Sequence, residues 1–97
     1  MKERDIQKQI LEYLTLKGIF HYRNNTGAMK TLHGFVRFGT PGSPDIFAVK
    51  DGMIYGIEIK GPAGRMRPEQ VTFGKNLVEA GGTYLVAKSL DDILAIL

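Results

Sequence analysis

The sequence predicts an α/β fold, a central mixed β-sheet flanked by α-helices, in a single domain spanning residues 1–97. Three observations predict it. Apolar residues recur at i, i+3/i+4 spacing near the N-terminus and again after residue 68, as in amphipathic helices. Asp51-Gly52 lies between two apolar runs, a strong short hairpin signal. Both faces of that hairpin are apolar, with Ile46, Ala48, Ile57 and Ile59 on one and Phe47, Val49 and Ile54 on the other. Strands with two apolar faces belong in the middle of a sheet covered on both sides.

The elements follow in order. Residues 3–17 read as a helix, with Ile6, Ile10, Tyr13, Leu14 and Lys17 on one stripe and Gly18 as the stop. Ile19 to Asn24 reads as a short strand. Residues 25–43 are rich in Gly and Thr and read as a long irregular stretch, within which Phe35-Val36-Arg37-Phe38 resembles a strand. So long an irregular segment in a short chain is more often functional than idle. Residues 45–50 and 53–60 form the hairpin. Residues 61–67 make a basic loop. Pro68 then occupies a helix-starting position, with Glu69 and Gln70 in the first turn. That helix runs to about Ala80 and stops at Gly81-Gly82. Thr83 to Ala87 is a buried strand. Ser89 is placed to cap a final helix through Leu97, with Asp91 and Asp92 in its first turn. The predicted order is α-β-(β)-β-β-α-β-α.

Composition narrows the functional classes. The 97 residues suffice for one small domain, and 43% hydrophobic with 24% charged residues is ordinary globular usage. There is no cysteine, which excludes disulfides, thiolate metal sites and a cysteine nucleophile. It also fits a reducing compartment such as the cytoplasm. No apolar run approaches the length of about 18–20 residues that spans a membrane. The net charge is +3, from 13 basic and 10 acidic residues. If some of the acids gather at one site, the remaining surface is more basic than the total and favours polyanions. No G-x-G-x-x-G or G-x-x-x-x-G-K-[ST] pattern occurs, which weakens a nucleotide-binding reading.

The hairpin carries the chemistry. With Asp51-Gly52 as a two-residue turn, Lys50 pairs with Met53 and the register places Asp45 opposite Glu58. Opposed residues share a face, with Cβ atoms about 4.5–5.5 Å apart. Lys60, two residues on, lies on that face too. Two carboxylates and one ammonium therefore converge. Like charges so close repel, and burying them is costly without a cation. A hard divalent cation such as Mg²⁺, taking one or two carboxylates plus waters, resolves the conflict.

Pro44-Asp45, twelve residues, then Glu58-Ile59-Lys60 is the PD-(D/E)xK pattern in full. With Gln70 ten residues beyond Lys60 and Glu3 ahead of the Ile6/Ile10 helix, the chain resembles the VRR-NUC (virus-type replication-repair nuclease) family, particularly its short stand-alone phage members. The resemblance covers nearly the whole chain and is most specific over residues 42–70. It implies a restriction-endonuclease-like core and a metal-dependent endodeoxyribonuclease using Mg²⁺ or Mn²⁺. Asp45, Glu58 and the backbone carbonyl of Ile59 would be metal ligands. Lys60 would position or deprotonate the attacking water, or stabilise the transition state. Gln70 would orient Lys60 or a water. Glu3 is a candidate to hold metal-bound water; a first-turn acid complementing the helix dipole is the other reading. Family members of this kind resemble archaeal junction resolvases, which implies a homodimer cutting four-way (Holliday) junctions. A flap- or duplex-nicking enzyme, or an inactive nucleic-acid-binding module, is the alternative.

Arg23, Lys30, Arg37, Arg65 and Arg67 flank the site in sequence and are candidates for contacts with branched or duplex DNA through its phosphates. Asn24, Asn25 and Thr26 could add polar contacts. Lys2, Arg4, Lys8 and Glu12 read as a solvated helix face. His21 and His33 are isolated from the acids and read as structural or surface residues. Tyr55 and Tyr84 read as core. Gly74 inside a helix costs about 1 kcal/mol relative to Ala, so tight packing against another element, or a second subunit, is expected there.

Overall fold

The computed structural model describes residues 1–24 and 27–97, and the side chains of all of these but 27–29 and 36–38. Helix α1 (Glu3–Leu16) leads into strand β1 (Phe20–Arg23). Strands β2 (Gly27–Thr31) and β3 (Gly34–Phe38) follow, then β4 (Ile46–Lys50), β5 (Met53–Ile59), helix α2 (Pro68–Glu79), strand β6 (Thr83–Ala87) and helix α3 (Leu90–Leu94). Four strands form a sheet in the order β1-β4-β5-β6; β2 and β3 form a separate two-stranded sheet. β1 and β5 flank β4 antiparallel, and β6 joins β5 in parallel, so the main sheet is mixed as the sequence implied.

The hairpin register is the predicted one, with Lys50 opposite Met53 and Ile46 opposite Ile57. Its cause is local. Asp51 and Gly52 both have positive φ, 52° and 80°, the left-handed pair that a tight hairpin matching strand twist requires.

One face of the sheet packs on α1 and α3. Ile6, Ile10 and Leu14 of α1 meet Ile46, Ala48, Ile57, Ile59, Ala87, Ile93 and Leu97 in a buried cluster. Lys17, expected on the apolar stripe, lies past the end of α1 and is exposed. The other face carries α2. Leu77 of α2 sits over Gly56 and Gly82, where an added Cβ would lie 2.9 and 2.7 Å from its side chain. This face is only partly covered, unlike the expectation. α2 lies against β6, while Val49 and Ile54 stay 36% and 38% exposed and Phe20 reaches 70%. An aromatic row, Tyr22 against Phe47 and Phe47 against Phe73, bridges the bare part to α2.

Two expectations fail at the ends of elements. The 25–43 stretch is not irregular throughout, since it contains β2 as well as the anticipated β3. The final helix stops at Leu94 rather than Leu97, and Ser89 makes no side-chain cap. Instead the Asp92 carboxylate accepts the Lys88 N–H at 2.8 Å. That bond satisfies a backbone donor just outside the helix and leaves the serine hydroxyl unused.

Gly74 packs within the chain, against Tyr84 of β6. A Cβ there would come within 2.8 Å of the ring. Alanine is the better helix former by about 1 kcal/mol, but overpacking a rigid ring costs about 1–3 kcal/mol. Gly74→Ala is therefore expected to be destabilising on balance, lowering the melting temperature by about 5 °C. A Gly74→Ala, Tyr84→Leu pair should recover part of that loss in the same thermal melt.

Candidate functional site

Asp45 sits where a glycine-rich loop enters β4. Three contacts fix that loop. Ser43 N–H donates to the Thr40 carbonyl at 3.0 Å. Gly42, at φ +79°, lies so close to α2 that an added Cβ would overlap the Glu69 carbonyl. Asn24, just past β1, donates from its amide to Ser43 Oγ at 2.8 Å and to the Pro44 carbonyl at 2.9 Å, and its backbone N–H reaches the Asp45 carbonyl at 2.8 Å. The sequence makes Asn24 a candidate for polar contact with DNA. Its amide is instead committed internally, holding together two loop ends about twenty residues apart in sequence. Asn25 and Thr26, the companion candidates, lie outside the described residues.

The Asp45 carboxylate turns toward β5 and accepts the Ile59 N–H at 2.7 Å. This puts the Ile59 peptide, whose carbonyl is the expected third ligand, beside the acidic pair. Glu58 continues the β4–β5 register opposite Asp45 and is 4% exposed. Its Oε1 accepts Gln70 Nε2 at 2.8 Å and faces Lys60 Nζ at 3.7 Å. Its Oε2 is buried and has no hydrogen-bond partner among the described residues.

Gln70 is held at both ends. Its Oε1 accepts the Arg67 N–H at 2.9 Å at the start of α2, while its amide grips Glu58. The glutamine therefore orients Glu58, rather than the expected Lys60 or a water. The reason is the helix start. Capping geometry points the Gln70 side chain back over the N-terminus of α2, and Glu58 lies beneath it.

Electrostatics follow from burial. Burial pushes the Asp45 carboxyl up, against the pull of the Ile59 N–H. Glu58 is pushed up to about 7, first by burial and then by Asp45, with Lys60 and Arg67 pulling it back. Glu3 adds to the repulsion on both acids. It is exposed on α1, and a Cβ on Gly61 would lie 4.0 Å from its Oε2, which places it over the residue after Lys60. Glu3 thus reaches the rim of the site from a separate element.

A hard cation suits this donor set. Two carboxylates, one with a buried oxygen that nothing satisfies, are what Mg²⁺ or Mn²⁺ takes before completing its shell with water. Among the described residues no three His, Cys, Asp or Glu side chains form a ready-made cage. The remaining ligands would be backbone, water or substrate oxygens.

The basic candidates separate. Arg23 joins Arg4, Gln7, Lys8 and Glu12 around a hollow on α1 of about 280 Å³. Nothing in the chain's patterning signals that grouping, because it joins β1 to residues read as an unrelated helix face. Arg65 is exposed. Arg67 pairs loosely with Glu69 at 3.5 Å. Lys30 is exposed on β2, and the Arg37 side chain lies outside the described residues. His21 is tied to the Ile19 carbonyl at 2.7 Å and takes no part in the site. Tyr84, expected as plain core, buries a hydroxyl that has no partner among the described residues. Burial, together with nearby Glu58 and Asp45, pushes its phenol above the usual tyrosine range. A hollow of about 530 Å³ is an apolar groove lined by Val71, Val78, Tyr84 and Val86, and the acidic pair does not line it.

No family model matches the sequence, and no curated protein matches it. Among solved structures, one described as a VRR_NUC domain aligns over 99% of this chain and 94% of its own, with a TM-score of 0.72 at 19% identity. The family resemblance seen in the sequence therefore holds at the level of the fold, which is that of a VRR_NUC domain.

Proposed function

We propose that this chain is a divalent-metal-dependent endonuclease that hydrolyses phosphodiester bonds in branched or duplex DNA, four-way junctions foremost. The observation that carries the proposal is Glu58. It is buried opposite Asp45, clamped through one oxygen by Gln70, and its other oxygen has no hydrogen-bond partner among the described residues. A group held so firmly and left half unsatisfied is arranged for something that binds there. The fold match to a VRR_NUC domain supports the reading.

Asp45, Glu58 and the Ile59 carbonyl would hold Mg²⁺ or Mn²⁺. Bound there, the ion would neutralise phosphate charge and lower the pKa of a coordinated water. The chain's own residues do the rest. Lys60, 8% exposed, keeps its ammonium beside Glu58 and presents it to the scissile phosphate, where charge builds in the transition state. Gln70 keeps Glu58 in one orientation. Asp45 is fixed through Oδ2 by the Ile59 N–H, which leaves Oδ1 as the oxygen it would offer to the ion. Glu3 would steady water at the rim. Arg4, Lys8, Arg23, Arg65 and Arg67 would meet the DNA backbone, giving affinity that falls with salt. Each chain carries one such site, so paired incision of a two-fold symmetric junction calls for a homodimer.

A cleavage panel tests this. Labelled junction, flap, nicked and linear DNA are incubated with Mg²⁺ or Mn²⁺, with mass measured in parallel by light scattering. The wild type should cut at least one branched substrate in a chelator-sensitive way. Asp45→Asn and Lys60→Ala should each lower the rate by about 10²–10⁴-fold while still binding DNA. Binding without cutting in either metal would make the chain an inactive module of the same fold. Equal cutting of flap and linear DNA would make it a general nicking enzyme.

A further inference from the structure

The β2–β3 hairpin stands apart from the main sheet. Among the described residues its strands pair only with each other, from Gly27 opposite Phe38 to Thr31 opposite Gly34. Five residues per strand give it a reach of about 17 Å. An isolated two-stranded ribbon is marginal in water, yet this one is anchored and finished at both ends. At its base, Asn24 ties the outgoing chain to Ser43 and Pro44 of the returning chain, next to Asp45. At its apex, Thr31 Oγ donates to the Gly34 carbonyl at 3.0 Å and accepts the His33 N–H at 3.2 Å, with Gly34 at φ +115° closing the turn.

The apex is apolar. Leu32 is 100% exposed, and Phe35 is 75% exposed opposite Lys30. A lone wet leucine on a protein surface means little. Here it crowns a two-stranded ribbon, with a cation two residues away, and Asn24 and Ser43, on the chain that leads into and out of the ribbon, are bonded to each other near Asp45. Apolar side chains presented in this way on nucleic-acid-binding ribbons insert between base steps and unstack them.

We propose that the β2–β3 hairpin is a base-step wedge. Leu32 enters the stack where the duplex is interrupted, Phe35 packs behind it, and Lys30 meets an adjoining phosphate. The hairpin thereby sets which DNA structures are presented to Asp45 and Glu58. A break in stacking eases entry, because the cost of unstacking a step is already met at a branch. The proposal rests on the nuclease reading above and deepens it.

The test uses the full chain and DNA with 2-aminopurine at the branch point, in Ca²⁺ so that binding is read without cutting. Wild type should raise the fluorescence as the base unstacks. Leu32→Ala and Leu32→Lys should remove most of that rise. Both should also lower the preference for branched over linear DNA by about tenfold in Mg²⁺, with cutting of linear duplex kept within about twofold. An unchanged fluorescence rise and preference in both variants would overturn the wedge while leaving the nuclease reading intact. A change of oligomeric state in Leu32→Lys, with the fluorescence rise kept, would also overturn it, because the apex would then dock on a second copy. Failure of the wild type to bind any of the DNAs would overturn both readings together.

Discussion

Glu58→Gln is expected to abolish DNA cleavage while making the metal-free protein more stable above neutral pH. The two effects share one cause. Glutamine keeps the shape of Glu58 and can still accept the Gln70 amide at 2.8 Å, but it brings no charge to the pocket. Loss of the proposed metal ligand and of the charge beside Lys60 should lower the rate by at least about 10³-fold. The stability effect has a definite sign. The folded-state pKa of Glu58 is raised, to about 7 from an ordinary 4.5. A group raised on folding contributes stability that is fully present below about pH 4.5 and is lost as pH rises through about 7. Above pH 7 the wild type must therefore carry a buried, ionised Glu58 facing Asp45, at a cost of about 1–3 kcal/mol. The neutral glutamine of the variant carries none of it. In thermal melts with chelator, the variant should gain on the wild type by about 5–15 °C between pH 5 and pH 8. Added Mg²⁺ should close the gap by stabilising the wild type alone. A gap that did not change with pH would mean that Glu58 is not strained by its surroundings.

The second large effect is expected at a residue with no chemistry. Gly42→Ala should lower cleavage by about 10²-fold, the usual result of displacing a catalytic group by about an ångström. Gly42 combines φ +79° with a position against the first turn of α2, where a methyl would overlap the Glu69 carbonyl. Something must move, either the loop that carries Asp45 or the helix start that carries Gln70. Gly52→Ala is the control. It has nearly the same φ, +80°, but nothing within 4 Å of the added methyl. Both variants carry the left-handed penalty of about 1–2 kcal/mol, so both should melt earlier. Only Gly42→Ala should lose activity. Equal losses would show that general destabilisation, not the close approach at Gly42, is responsible.

Legibility in the sequence followed the range of the interactions. The β4–β5 register could be read because Asp51-Gly52 sets it within two residues, and the meeting of Asp45, Glu58 and Lys60 followed from alternation alone. The start of α2 was legible from Pro68. The partner of Gln70 was not, because helix capping at Arg67 and the sheet beneath jointly choose Glu58. β2 was missed because Gly27 and Thr31 bracket a short run with weak strand character, and its pairing with β3 supplies what composition lacks. The role of Asn24 was invisible, since its partners lie far along the chain. The half-bare second face reflects size. A twelve-residue α2 shields β6 and part of β5 but cannot reach β1.

The topology also fixes an order of assembly. β4 and β5 are joined by a two-residue turn, and such hairpins close in about 1–10 μs. β6 pairs with β5 only after the chain has travelled through α2, a non-local closure that comes more slowly. The opposed acids are thus brought together by a local closure, and the non-local pairing of β6 with β5, beyond the helix that carries Gln70, comes more slowly. During that interval a divalent ion would act on the nascent chain as a folding ligand, relieving repulsion in the hairpin before the globule is complete.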